Sequence, residues 1–232
     1  MDTMQKMAVP LAIVIAGGLI AVALYFSNRN NGAPIVDNQP APVAEKIRGI
    51  QKNDHVRGNP NAPVVIVEFS DTECPFCKQF HNTLKQVTAN YGTDGKVAWV
   101  YRHFPLPQLH PKASHEAEAL ECANDLGGND AFWKYTDRLY EVTPSNNGLD
   151  PAQLPAIAQE VGLDKTAFTK CLDSGKYKAR VDKDAAEAAA AGGQGTPHSI
   201  ILYAGEQVPI EGAQPFEVLK NMVDTLLAGK KS

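Results

Sequence analysis

The chain has 232 residues, 44% of them hydrophobic and 21% charged, enough for one sizeable packed domain with material to spare. A net charge of −4 gives no basic stripe for nucleic acid, and no zinc-finger or base-stacking signature is present. Four cysteines are too few for a small disulfide-framed scaffold.

Ala8 to Phe26 ("AVPLAIVIAGGLIAVALYF") is nineteen residues without a charge. As a helix it would span ~28 Å, close to the thickness of a hydrocarbon core. Tyr25 and Phe26 at its end suit a membrane interface. The expectation for residues 1–26 is a cytoplasmic stub and transmembrane anchor. A cleaved signal with "AVA" at Ala21–Ala23 as its small-residue site is the alternative. Residues 27–55 are rich in Asn, Gly and Pro and read as a tether, with a short structured piece around Val43–Val56. Either reading places the remaining domain, 56–232, outside the cytoplasm.

Within that domain "PVVIVEF" (Pro63–Phe69) is a short β-branched run and predicts a buried strand. Cys77, Phe80, Leu84, Val87 and Tyr91 recur at helical spacing up to Gly92, a C-cap candidate. "KVAWVYRHF" predicts a second strand. Residues of about 111–191 read as helical, broken near Gly127–Gly128, "TPSNNGLDP" and Gly162. "SIILY" and "EQVPI" form a hairpin pattern around Ala204–Gly205, and Phe216, Leu219, Met222, Val223 and Leu226 stripe a last helix. This order predicts an α/β, thioredoxin-like fold with an all-helical insertion.

"SDTECPFCKQF" (Ser70–Phe80) sets two cysteines three residues apart at the junction of strand and helix. One helical turn is short enough for a disulfide without backbone movement. Cys74 falls at the helix start with Pro75 in the first turn, where free N–H groups and the positive dipole end stabilise a thiolate. Cys77, on the apolar stripe, is the more buried partner that resolves a mixed disulfide. No second close cysteine pair supports a four-cysteine zinc site, so no metal is expected. A copper site of Cys74, Cys77 and His81 is the competing use of two thiolates. Glu68 lies in an apolar strand. It either marks the strand's exit to solvent or is a buried acid with raised pKa that relays the proton of Cys77.

"GNPNAPVVIVEFSDTECPFCKQF", "VAWVYRHFPL", "GTPHSI" and "IEGAQPFEVLKNMVD", in that order, resemble the DsbA-type thiol:disulfide oxidoreductases of the bacterial envelope. The resemblance covers about Val56 to Ala228 and is narrowest to the membrane-anchored or secreted branch with a Cys-Pro-x-Cys site. It implies that Cys74 is the nucleophile, Cys77 its partner and Glu68 the buried acid beneath the disulfide. It also implies a cis bond at Thr196–Pro197, which would leave the Thr196 backbone free to pair with a substrate strand. A trans bond is the default from sequence. Two departures weaken the comparison with strong oxidases. Phe76 stands where they carry a histidine that stabilises the thiolate, and Thr196 precedes the proline where they often have valine. Asp71 and Glu73 add negative charge near Cys74, so a milder oxidant is expected. Phe76 is either simple packing or an apolar contact for unfolded substrates.

Cys122 and Cys171, 49 apart on separate predicted helices, are expected to pair in an oxidising compartment; two buried thiols are the alternative. The histidines receive no role. The function expected is disulfide exchange with unfolded or partly folded exported proteins, in the direction of disulfide introduction. No cofactor is needed, and a membrane partner would reset the pair. An envelope reductase or isomerase, and a copper metallochaperone, are the alternatives.

Overall fold

A computed structural model describes residues 44–229. The apolar run Ala8–Phe26 and the first part of the tether lie outside the described residues. Among the described residues no helix is long and apolar enough to cross a membrane.

A five-stranded sheet organises the domain: β1 (His55–Gly58), β2 (Val64–Ser70), β3 (Val97–His103), β4 (His198–Tyr203) and β5 (Glu206–Glu211), in spatial order β1-β3-β2-β4-β5. β2 is central, and all seven of its residues are buried because helices cover both faces. β3 runs parallel to it, from Val64 opposite Val97 to Ser70 opposite His103. β4 runs antiparallel, Phe69 facing His198. β4 and β5 are joined at Ala204–Gly205, both with positive φ (49° and 83°), the pair a tight hairpin turn needs. Pro209 sits on β5, where an edge strand tolerates a missing N–H.

Period-two alternation divides the strands between two cores. Val64, Ile66, Val97 and Trp99 pack with Phe80, Leu84 and Val87 of α1 (Pro75–Tyr91) and Leu219 and Val223 of α6 (Phe216–Ala228). Val65, Val67, Phe69, Ala98 and Val100 face the other way, toward Ala188 of α5 (Lys178–Ala190). Between β3 and β4 lies the helical insertion: α2 (Ala113–Val142), a 3-10 turn at Pro151–Gln153, α3 (Leu154–Glu160), α4 (Lys165–Asp173) and α5. α2 breaks at Gly128, whose φ of 71° and ψ of −168° leave the helical region.

The described part of the segment read as a tether, 44–55, falls in the stretch where a short structured piece is expected, and it is fixed to the domain. Ile47 is buried in the second core, and its backbone N–H and C=O pair with the Gln207 side chain at 2.9 and 2.8 Å. Arg48 bridges Asp184 at 2.8 Å and also binds Glu187, and His55 already belongs to β1. A few anchoring side chains in a polar stretch are enough to fix it to the domain.

The parallel β2–β3 pairing brings the C-terminal ends of both strands to one edge of the sheet. α1 starts there, and antiparallel β4 begins there with His198. Cys74, Cys77, Thr196 and Pro197 therefore converge although 122 residues separate Cys74 from Thr196.

Candidate active site

Cys74 is the N-cap of α1, with extended backbone (φ −77°, ψ 122°) and Pro75 in the first turn. Both thiols are free and buried, Cys77 completely and Cys74 with 5% exposure. The two behave as an unequal pair. A hydrogen bond from the Cys77 thiol, opposed by burial and helped by Thr196 and the first-turn amides, holds Cys74 down at about 6. Burial and the same bond push Cys77 well above its ordinary value, although the Asp71 N–H lies 3.4 Å from its sulfur. At neutral pH Cys74 is the thiolate and Cys77 the thiol.

Glu68 does not reach solvent; it is fully buried in β2. Burial lifts its carboxyl to about 8, against two donors that favour the anion: Ser70 Oγ at 2.8 Å on Oε1 and Trp99 Nε1 at 3.0 Å on Oε2. Ser70 Oγ is in turn 2.9 Å from the Tyr140 hydroxyl. The charge of Glu68 raises the cost of a Cys77 thiolate, and the charge of Cys74 raises the cost of ionising Glu68, so the protonation of the acid is linked to that of the thiol pair. Ser70, Trp99 and Tyr140 were not legible as site residues, because each reads as ordinary strand or helix core.

The carboxylates of Asp71 and Glu73 are held by donors on neighbouring loops. Asp71 Oδ2 accepts from Leu106 N at 2.8 Å and faces His110 Nδ1 at 3.0 Å, and Oδ1 accepts from Glu73 N at 2.8 Å. Glu73 accepts from Asn147 N at 2.6 Å. Fixed donors on these loops offset the negative charge expected to oppose the thiolate. Phe76 is 60% exposed, so packing does not account for it.

The Thr196–Pro197 bond is cis, and the Thr196 carbonyl oxygen lies 3.4 Å from Cys74 Sγ. A cleft of about 450 Å³ opens alongside, lined by Gln194, Gly195, Thr196, Pro197, His198 and Glu211.

Away from the site, Cys122 in α2 and Cys171 in α4 form a disulfide, with Cα atoms 5.8 Å apart. His81 faces Asp137, its Nε2 2.7 Å from Oδ1, and its ring packs against Trp99 and Tyr140. Among the described residues, the one His/Cys/Asp/Glu group with ligand atoms gathered closely enough for a metal is His55, His103 and Glu121, not the thiols with His81. Arg180 Nε already sits on the Glu121 oxygen at 2.5 Å, so a guanidinium holds the cation position of that group.

Comparison with known proteins agrees with this geometry. A thioredoxin family model matches residues 51–225. Pseudomonas aeruginosa DsbA2 superposes with a TM-score of 0.67 at 28% identity, over 80% of this chain and 100% of that one. Bacillus subtilis BdbD superposes at 0.70 with 22% identity, over 82% and 100%, which shows the shared fold. Among curated relatives, a Na(+)/H(+) antiporter NhaA 1 of Mycolicibacterium gilvum is 36% identical over 185 residues, 78% of this chain and 29% of the relative. A Na(+)/H(+) antiporter NhaA 3 of Salinispora tropica is 36% identical over 144 residues, 62% of this chain and 21% of the relative. The chain thus spans less than a third of the length of these curated relatives. The chain belongs to the thioredoxin family, and it shares its fold with DsbA proteins.

Proposed function

We propose that Cys74 and Cys77 introduce disulfides into unfolded or partly folded exported proteins, on the extracytoplasmic side of a membrane to which residues 1–26 tether the domain. The observation that carries this reading is the unequal thiol pair. A stable Cys74 thiolate favours the reduced form of the couple, which makes its disulfide the better oxidant. The Cys122–Cys171 disulfide supports an oxidising compartment.

In the forward step a substrate thiolate attacks Cys74 Sγ of the Cys74–Cys77 disulfide. A new intermolecular S–S bond forms, and Cys77 leaves and takes the proton held on Glu68. A second substrate thiolate then attacks the substrate sulfur of the mixed disulfide and releases Cys74 as thiolate. The substrate has lost two electrons and the pair has gained them. Thr196 and Pro197 line the path of the substrate backbone, and the exposed Phe76 ring offers it an apolar contact. A membrane redox partner reoxidises the pair.

The deciding experiment is the equilibrium reduction potential of the Cys74–Cys77 couple in glutathione buffers, after checking the reduced protein for bound copper. A value well above about −180 mV supports disulfide donation. A value near about −270 mV reverses the electron flow and makes the protein an envelope reductase. Stoichiometric copper would instead support the metallochaperone reading.

A further inference from the structure

Glu73 and Glu116 are both fully buried, one residue before the nucleophile and in the first turn of α2. Glu73 has donors: Asn147 N at 2.6 Å on Oε2 and Leu149 N at 3.4 Å on Oε1, while Asn146 N binds its backbone oxygen at 2.7 Å. Ser145, Asn146 and Asn147 all have positive φ (64°, 53° and 65°), and this run turns their loop toward Glu73. Lysines fasten the same loop: Lys112 Nζ donates to Asn147 O and Leu149 O, each at 2.7 Å, and Lys78 Nζ donates to Thr143 O at 2.6 Å. Glu116 has none of this. Neither of its carboxyl oxygens has a partner, and the buried Thr72 hydroxyl has none either. A carboxylate left so in the interior would be expensive, whereas a carboxyl bearing a proton can donate it to Glu73.

We propose that Glu73 and Glu116 share one proton, and that the pair positions the nucleophile by locking Glu73 to the loop at residues 145–149 while placing one charge, not two, beside Cys74. The mechanism above uses neither residue, and the inference holds for either net direction of exchange.

Glu116 is raised to about 8, first by burial and then by Glu73, with Asp71 adding to it. The titratable and charged groups around it are Glu73 and Asp71 on the segment before α1, His110 on Asp71, Tyr135 in the second half of α2, and Lys112 at its start. Above pH 8 the shared proton leaves and the pair holds two charges. The added charge disfavours the Cys74 thiolate, and with it the reduced form.

The test follows the backbone amide resonances of Asn147 and Leu149 in the reduced full-length protein from pH 5 to 9.5. Wild type should show a midpoint near 8 that is lost in Glu116→Gln, whose amide can donate but cannot titrate, and kept in Glu68→Gln. A midpoint only in the ordinary carboxylate range in wild type overturns the shared proton, even if the variants do not fold. So does survival of the alkaline midpoint in Glu116→Gln. The positioning role is read from reduction potentials of wild type and Glu116→Gln at each pH, because the contributions of Glu68 and Cys77 cancel in the difference. The two should meet below pH 7, and wild type should fall below the variant above pH 8. A difference that does not change with pH shows that the pair does not act on Cys74.

Discussion

Trp99 Nε1 lies 3.0 Å from Glu68 Oε2, so the buried Glu68 carboxyl is held by a fixed donor from the neighbouring strand. β3 brings Trp99 there, since the parallel register sets Trp99 opposite Ile66, two residues before Glu68 on the same face of β2. Ser70 supplies the other donor from two residues along that same face.

This arrangement predicts a pH-dependent cost. The Glu68 carboxyl is raised above its unfolded value of 4.5 to about 8. Its favourable contribution is therefore fully present below pH 4.5 and lost as pH rises through 8, at about 1.4 kcal/mol for each pH unit that separates the two values. Glu68→Gln should gain thermal stability relative to wild type between pH 5 and 8, and exchange should slow because Cys77 loses its proton partner. Ser70→Ala removes a donor to the anion and should move the Glu68 midpoint upward by about one pH unit. Infrared titration of the carboxyl band checks both; a midpoint that stays in place in Ser70→Ala contradicts the assignment.

Phe76 is exposed between Pro75 and Cys77, so a polar ring fits there without repacking the core. Phe76→His would place partial positive charge next to Cys74. The Cys74 midpoint should fall below about 6, and the reduction potential should rise with it. Thiolate absorbance at 240 nm against pH gives the first quantity and a glutathione titration the second. Phe76→Ser should leave the midpoint nearly unchanged and weaken capture of apolar unfolded substrates, seen as a higher KM.

The main elements were legible because their signals are local. β2, β3 and the hairpin are β-branched or alternating runs, and α1 carries a clear apolar stripe ending at Gly92. The thiols and Pro197 stood out for their chemistry and by resemblance. Glu116, Tyr140 and Trp99 did not, since an acid in "SHEAEALE" and aromatic residues among apolar neighbours carry no mark of what faces them across the fold. β1 was illegible for a similar reason: four mixed residues become a strand because β3 has an open edge to pair with.

Cys122 and Cys171 close a loop of 49 residues that ties α2 to α4, far along the chain from the thiol pair. Chain-entropy reasoning assigns such a link about 4 kcal/mol before strain. The double variant Cys122→Ala, Cys171→Ala should lose roughly 2–4 kcal/mol in urea unfolding while its Cys74–Cys77 potential stays close to wild type. A large shift in potential would show that this disulfide communicates with the site.

Glu121 is the hub of a buried polar cluster, with one oxygen facing Arg180 Nε at 2.5 Å, His55 Nε2 at 2.7 Å and His103 Nε2 at 2.8 Å. Burial alone would raise this carboxyl, but the bonds from His103 and His55 outweigh it and hold the group well below the ordinary carboxylate range. His55 is lowered chiefly by its own burial, against Phe132. Both folded values lie under the unfolded ones, so each contribution to stability is present above the unfolded pKa and lost as pH falls. The melting temperature should therefore decline from about pH 6.5 downward as His55 is forced to charge, and more steeply below about 4.5 as Glu121 gains a proton. Glu121→Gln should be destabilised at pH 7, because Arg180 and the imidazoles lose their anion. It should also lose the steeper acid limb, so that the two curves converge below pH 4. Parallel curves for variant and wild type across the whole range would mean that other carboxylates carry the acid sensitivity of the fold.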